Sequence, residues 1–182
     1  MRTFLLSLLI LFIIVSQSQA QEVILTRYEE FATEPGRILK HESKHIGAAY
    51  QCNIWLNKLT DVDIDSTRRV IIFSGSGNQG NWTMHVDQAA AYGVLRFLEY
   101  CKRVVAPDAK ANPVYSYLTI NGMQVSFNAS TRFISNRWAI HFRQVYAYSN
   151  TPVSENAFEF PFSDIDQLIT LWKNALEASK EF

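Results

Sequence analysis

Apolar and polar residues alternate along the chain from Tyr50 to Asn57. The apolar positions are Tyr50, Cys52, Ile54 and Leu56, and the polar ones are Gln51, Asn53 and Asn57. This period of two predicts a strand that buries one face. Trp55 stands where the alternation requires a polar residue, so the register directs it away from the apolar face.

Similar patterns predict seven further strands. In the first half they are a short strand at 22–28, a β-branched run at 69–73 and the alternating Trp82, Met84 and Val86. In the second half, residues 115–120 and 123–127 flank Asn121-Gly122, a pair that favours a tight hairpin because its turn needs positive φ at both positions. Residues 137–148 and the aromatic stretch 158–162 complete the set.

Two segments have the spacing of amphipathic helices. Asp87 is a candidate N-cap, and the apolar face behind it comprises Ala91, Val94, Leu95, Leu98 and Cys101; this helix should end before Pro107. A last helix is predicted to begin at Ser163, with Asp166 completing a capping box. Its apolar stripe is Ile165, Leu168, Ile169, Trp172, Ala175 and Leu176.

These elements predict an α+β fold, in which an antiparallel β-sheet packs two amphipathic helices on one side. Strands followed by a capped helix occur twice, at residues 21–106 and 107–182, which suggests a pseudo-repeat of strands plus helix. About 160 residues after position 20 suit a single globular domain.

The first twenty residues have the three parts of a secretory signal peptide. Arg2 provides the positive charge, residues 4–15 are apolar apart from Ser7, and Ser18-Gln19-Ala20 offers small residues for cleavage. An apolar run of this length is too short to span a bilayer as a permanent helix. We therefore expect signal cleavage after residue 20, a secreted or periplasmic protein, and no membrane anchor in the mature chain.

The charge balance and the two cysteines bear on the possible partners of the protein and on whether it contains a disulfide. Lys and Arg number 17, as do Asp and Glu, and no basic run occurs, so we expect no nucleic-acid partner. In an oxidising compartment Cys52 and Cys101 could form a disulfide; the alternative is two buried thiols that pack as small apolar side chains.

Residues His41 to His45 match H-E-x-x-H, the zinc-binding signature of metalloproteases. On a helix, His41 and His45 would bind one zinc ion and Glu42 would act as general base. No Glu occurs between His45 and Glu99, so Asp61, Asp63 and Asp65 remain as possible third ligands, and a strand is predicted close by. An extended segment would separate the two imidazoles, so we keep the small zinc-dependent hydrolase as the alternative.

Two other motifs have the wrong context. Residues 75–80 match G-x-G-x-x-G, but a strand follows where a dinucleotide-binding fold needs a helix. Asp61, Asp63 and Asp65 resemble the start of a calcium loop, but Ser66 replaces its glycine. We expect a hairpin loop and a solvated turn respectively.

The sequence offers no convincing set of catalytic residues. We therefore expect an exported, non-enzymatic protein that binds an unknown extracytoplasmic ligand, protein or surface, without a cofactor; zinc enters only under the alternative. Aromatic residues could line a sheet face that stacks on a sugar or holds a peptide, namely Trp55, Trp82, Trp138, Tyr146 and Tyr148. Trp55 is the foremost candidate because of its outward register.

Overall fold

A computed structural model describes residues 26–77, 80–104, 114–119, 123–129, 138–144 and 158–182. These residues form two four-stranded antiparallel sheets and three α-helices, which confirms the α+β class. The predicted signal peptide and the Asn121-Gly122 turn lie outside the described residues, as do Tyr146 and Tyr148.

The first sheet comprises strands β1 to β4 in sequential order, preceded by helix α1 and followed by helix α2. The bounds are α1 Arg27–Thr33, β1 Leu39–Ala49, β2 Cys52–Asp61, β3 Ser66–Gly77, β4 Gly80–Val86 and α2 Gln88–Arg103. The second sheet is again sequential and is followed by helix α3. Its strands are β5 Tyr115–Leu118, β6 Met123–Ala129, β7 Trp138–Gln144 and β8 Phe158–Pro161, and α3 is Ile165–Glu181. Four strands followed by a long helix thus occur twice in the chain.

One hydrophobic core joins both sheets to α2 and α3. Phe73 of β3 lies within it and is fully buried. Its ring contacts Trp82 of the first sheet, Phe142 and Phe158 of the second, and Trp172 of α3, with ring centroids 4.6–6.0 Å apart. The predicted stripe of the last helix is buried at all six positions. Burial of these apolar faces stabilises the helices more than helix propensity does.

Helix α1 packs on the opposite face of the first sheet, which the sequence analysis did not predict. Tyr28 and Phe31 form a small second core there with Leu59 and Val70. The strand predicted at 22–28 is therefore wrong for residues 26–28. A capping box begins the helix instead: Thr26 Oγ1 accepts from the backbone N–H of Glu29, and Glu29 Oε2 accepts from that of Thr26.

The predicted start of the last helix is also wrong. A single 3₁₀ turn, Phe162–Asp164, precedes α3, and Asp164 occupies the N-cap position without a side-chain capping bond. The hydroxyl of Ser163 donates to Asp164 Oδ1, 3.1 Å away, and not to the helix backbone. Asp166 forms an ion pair with Lys102, which links α3 to α2. Helix α2 ends at Arg103, before Pro107 as predicted.

Candidate functional site

The H-E-x-x-H residues lie in strand β1. His41 and His45 share one face of the strand, but four residues of extended chain separate their Cα atoms by about 13 Å. Glu42 points to the other face, where Lys58 Nζ lies 2.9 Å and Lys40 Nζ 3.4 Å from its carboxylate. Among the described residues, no group of three potential ligands could hold a metal ion. The two imidazoles therefore cannot share a zinc ion in this conformation.

The aspartates of the candidate calcium loop do not converge either. Asp61 is buried, accepts from Arg37 at 2.7 Å, and caps the β2–β3 turn by accepting from the backbone N–H of Asp63 at 3.0 Å. Burial alone would raise the pKa of Asp61, but these hydrogen bonds hold it below its ordinary value. Asp63 and Asp65 are exposed. Asp61 thus has a structural role in this turn.

The glycine-rich motif belongs to the β3–β4 hairpin, as expected, but its residues 75–77 and 80 lie in the paired strands and not in a loop. The strands pair antiparallel from Ile71 opposite Val86 to Gly77 opposite Gly80. Gly75 is needed for packing, because a Cβ atom there would lie 2.6 Å from the carbonyl oxygen of Gln51 and 2.7 Å from Trp82 Cζ2. Core packing accounts for this glycine without a nucleotide.

Cys52 and Cys101 are free thiols, so the disulfide considered from the sequence is not formed. Both residues are buried in the main core. Burial raises the pKa of each thiol to about 12, which leaves almost no thiolate at neutral pH. They pack as small apolar side chains.

The outer face of the first sheet, away from α2 and α3, presents Trp55. Its side chain is 38% exposed, in contrast to the buried Trp82 and Trp172. The ring of His45 lies beside it, with centroids 4.5 Å apart and planes inclined by 47°. Strand pairing places Trp55 in a row across the sheet that runs His45, Trp55, Ile72, His85. Trp55 is therefore directed outward as predicted.

Polar side chains surround Trp55 in the neighbouring rows. One row contains Asn53, Ser74 and Thr83, and the row on the other side begins with Ser43. Within the described part of the chain, these four side chains and the Trp55 indole N–H make no hydrogen bond. We define the Trp55 face as the following six residues: Ser43, His45, Asn53, Trp55, Ser74 and Thr83.

The Trp55 face carries no carboxylate, ammonium or guanidinium group. The other members of its three rows are also free of such groups, namely Ala48, Asn57, Val70, Ile72 and His85. The opposite side of the same strands carries Lys40, Glu42, Lys44 and Lys58. Hydroxyl, amide, imidazole and indole groups therefore define the chemistry of this surface.

Helix α1 borders the Trp55 face at the β4 end. Tyr28 contacts the edge of the His85 ring, and Glu29 Oε1 lies 2.5 Å from His85 Nδ1. Burial would raise the pKa of Glu29, but hydrogen bonds from His85 and Thr26 hold it below its ordinary value. The helix fixes His85 and ends the open surface on that side.

A second polar row crosses the outer side of the second sheet. Ser126, His141 and Glu159 are direct neighbours on β6, β7 and β8. His141 Nδ1 lies 3.6 Å from Glu159 Oε1, and its buried Nε2 has no hydrogen-bond partner. Burial lowers the pKa of His141, although Glu159 opposes the shift. Ser126 Oγ lies 3.5 Å from Asn128 Oδ1, and no bond from His141 activates it as a nucleophile.

No family model matches the chain, and no curated protein matches its sequence. None of the described helices has the length and apolar character required to cross a membrane.

Proposed function

We propose that the protein is an exported, non-enzymatic binding protein that recognises an extracytoplasmic ligand through the Trp55 face. The observation that supports this proposal is an exposed indole on a sheet face, surrounded by polar side chains that make no hydrogen bond with the described residues. A large aromatic side chain exposed on a rigid sheet offers contact area at small conformational cost. Unpaired amide and hydroxyl groups beside it provide the directional contacts that orient a ligand.

The groups on this face favour binding over catalysis. Activation of a serine needs a base within hydrogen-bond reach. Neither Ser43 nor Ser74 makes a side-chain hydrogen bond within the described residues. The imidazole of His45 packs against Trp55, and that of His85 lies against Glu29. The buried thiols are in the core and cannot reach this surface.

The first test is a pull-down of binding partners from the native envelope or medium. It compares the full-length mature wild type with its Trp55→Ala variant. Tyr92→Ala is the matched control, because Tyr92 is also exposed (43%) but lies on α2, on the other side of the sheet. We expect Trp55→Ala to lose the captured component and Tyr92→Ala to retain it. Equal capture by both variants would refute the assignment of this face.

A further inference from the structure

We infer, on the basis of the proposed function, that the ligand of the Trp55 face is an uncharged carbohydrate. The chemical class follows from three features of this surface: its exposed indole, the type and spacing of its polar groups, and its lack of charge.

The aromatic feature matches one face of a sugar ring. A pyranose presents C–H groups on its flat side, and these groups pack favourably against the electron-rich face of an indole. His45 lies beside Trp55, and 38% of the tryptophan surface remains exposed. The indole N–H, which has no partner among the described residues, can also donate to a ligand oxygen.

The polar groups match sugar hydroxyls in type and position. Asn53 precedes Trp55 by two residues, about 6.6 Å along β2, and Ser74 and Thr83 continue its row at about 4.8 Å per strand. Amide and hydroxyl groups both donate and accept, as sugar hydroxyls do. Because these side chains have no hydrogen-bond partner in the described protein, a ligand would compete only with water for them.

The absence of charge argues against the other ligand classes. An anionic polymer needs lysines or arginines to neutralise it, and the Trp55 face has none. A lipid or apolar peptide needs a contiguous apolar patch of several hundred Å². Here the only large apolar neighbour of Trp55 in its row is the half-buried Ile72. An uncharged polyol fits the remaining combination.

Native gel electrophoresis of the mature protein through gels containing soluble polysaccharides tests this inference. The neutral probes are dextran, β-glucan, galactomannan and xyloglucan, and dextran sulfate is the charged counterpart of dextran. We expect at least one neutral probe to retard the wild type. Trp55→Ala should weaken that affinity by about tenfold or more, with Trp55→Phe intermediate because it keeps an aromatic surface. Tyr92→Ala should be unchanged, and Asn53→Ala and Thr83→Ala should each weaken binding by about fivefold.

Three results would overturn the carbohydrate assignment: retardation by no neutral probe, equal retardation of wild type and Trp55→Ala, or salt-sensitive retardation by dextran sulfate alone. Circular dichroism of each variant verifies that its fold is intact.

The capture experiment separates the failure of the carbohydrate class from the failure of the binding face. If Trp55→Ala loses a protein partner there while no neutral probe binds, the binding face stands and the carbohydrate class fails; if Trp55→Ala changes neither experiment, both fail.

Discussion

At the scale of single residues, His141 combines burial with an unsatisfied ring nitrogen. Its Nε2 has no partner, and its pKa is lowered because burial disfavours the imidazolium. A histidine whose folded pKa lies below the ordinary value of 6.5 binds fewer protons in the folded than in the unfolded state. Above that pH His141 therefore leaves the free energy of unfolding unchanged, and as the pH falls below it the free energy of unfolding decreases.

We predict that His141→Gln reduces this sensitivity to acid. The free energy of unfolding, measured with urea at pH 7.5 and 5.5, should fall less between the two values in His141→Gln than in the wild type, since glutamine does not titrate. His41→Gln, which replaces an exposed histidine on β1, should keep the wild-type difference. If His141→Gln and the wild type lose the same free energy, another group causes the acid sensitivity.

At the scale of elements, the β3–β4 hairpin matches a nucleotide-binding motif in sequence, although core packing accounts for its Gly75. We predict that Gly75→Ala destabilises the protein by about 1–3 kcal/mol, because the new methyl group meets the fixed backbone at Gln51 and the buried ring of Trp82. Ser74→Ala, at the preceding position, serves as the control because its hydroxyl makes no hydrogen bond among the described residues; it should change stability by less than about 0.5 kcal/mol. The measurement is the urea midpoint at constant slope. An unchanged midpoint in Gly75→Ala would show that the hairpin relaxes around the methyl group.

The elements that sequence reasoning predicted well are those whose periodicity extends over several turns or pleats. The alternation in β2 and β4 and the stripe of α3 each repeat often enough to exclude other structures. Helix α1 was missed because seven residues with two buried side chains show no period, and its capping box follows a segment that resembles a strand. Ser163 was misassigned because it lies inside a 3₁₀ turn after Pro161, which moves the N-cap of the helix one residue on, to Asp164.

The candidate site was predictable only in part. The register of β2 alone directed Trp55 outward, since neighbouring side chains on a strand point to opposite faces. Its partners come from three other strands, and no local pattern gives the pairing of Asn53 with Ser74 and Ser74 with Thr83. The same limit applies to Ser126, His141 and Glu159, which are far apart in sequence and adjacent only through strand pairing.

At the scale of the whole molecule, the two faces of the first sheet have different surroundings. One face enters the core with α2 and α3, and α1 covers only part of the other. This arrangement leaves the Trp55 face open on a sheet that is held from behind by the largest core of the protein. A ligand of the proposed binding face would therefore meet a preorganised surface, which would reduce the entropy lost on binding.

The same core should make the two strand-plus-helix halves unfold together. Phe73 from the first half contacts Phe142, Phe158 and Trp172 from the second, so its removal leaves a cavity shared by both. We predict that Phe73→Ala lowers the free energy of unfolding by about 3–5 kcal/mol. Tryptophan fluorescence and far-UV circular dichroism should still report one coincident transition, as expected for a two-state domain.

Phe31→Ala is the matched control, because Phe31 is equally large and buried but belongs to the small core under α1. Its removal should cost less than that of Phe73, since Phe31 packs against fewer core side chains and is also bordered by the guanidinium groups of Arg37 and Arg68. Two separate transitions in Phe73→Ala, one for each half, would mean that the halves are stable units that only share a boundary. A single transition at lower denaturant concentration is the expected result if each half needs the other to complete its core, because neither half then stays folded once the other unfolds.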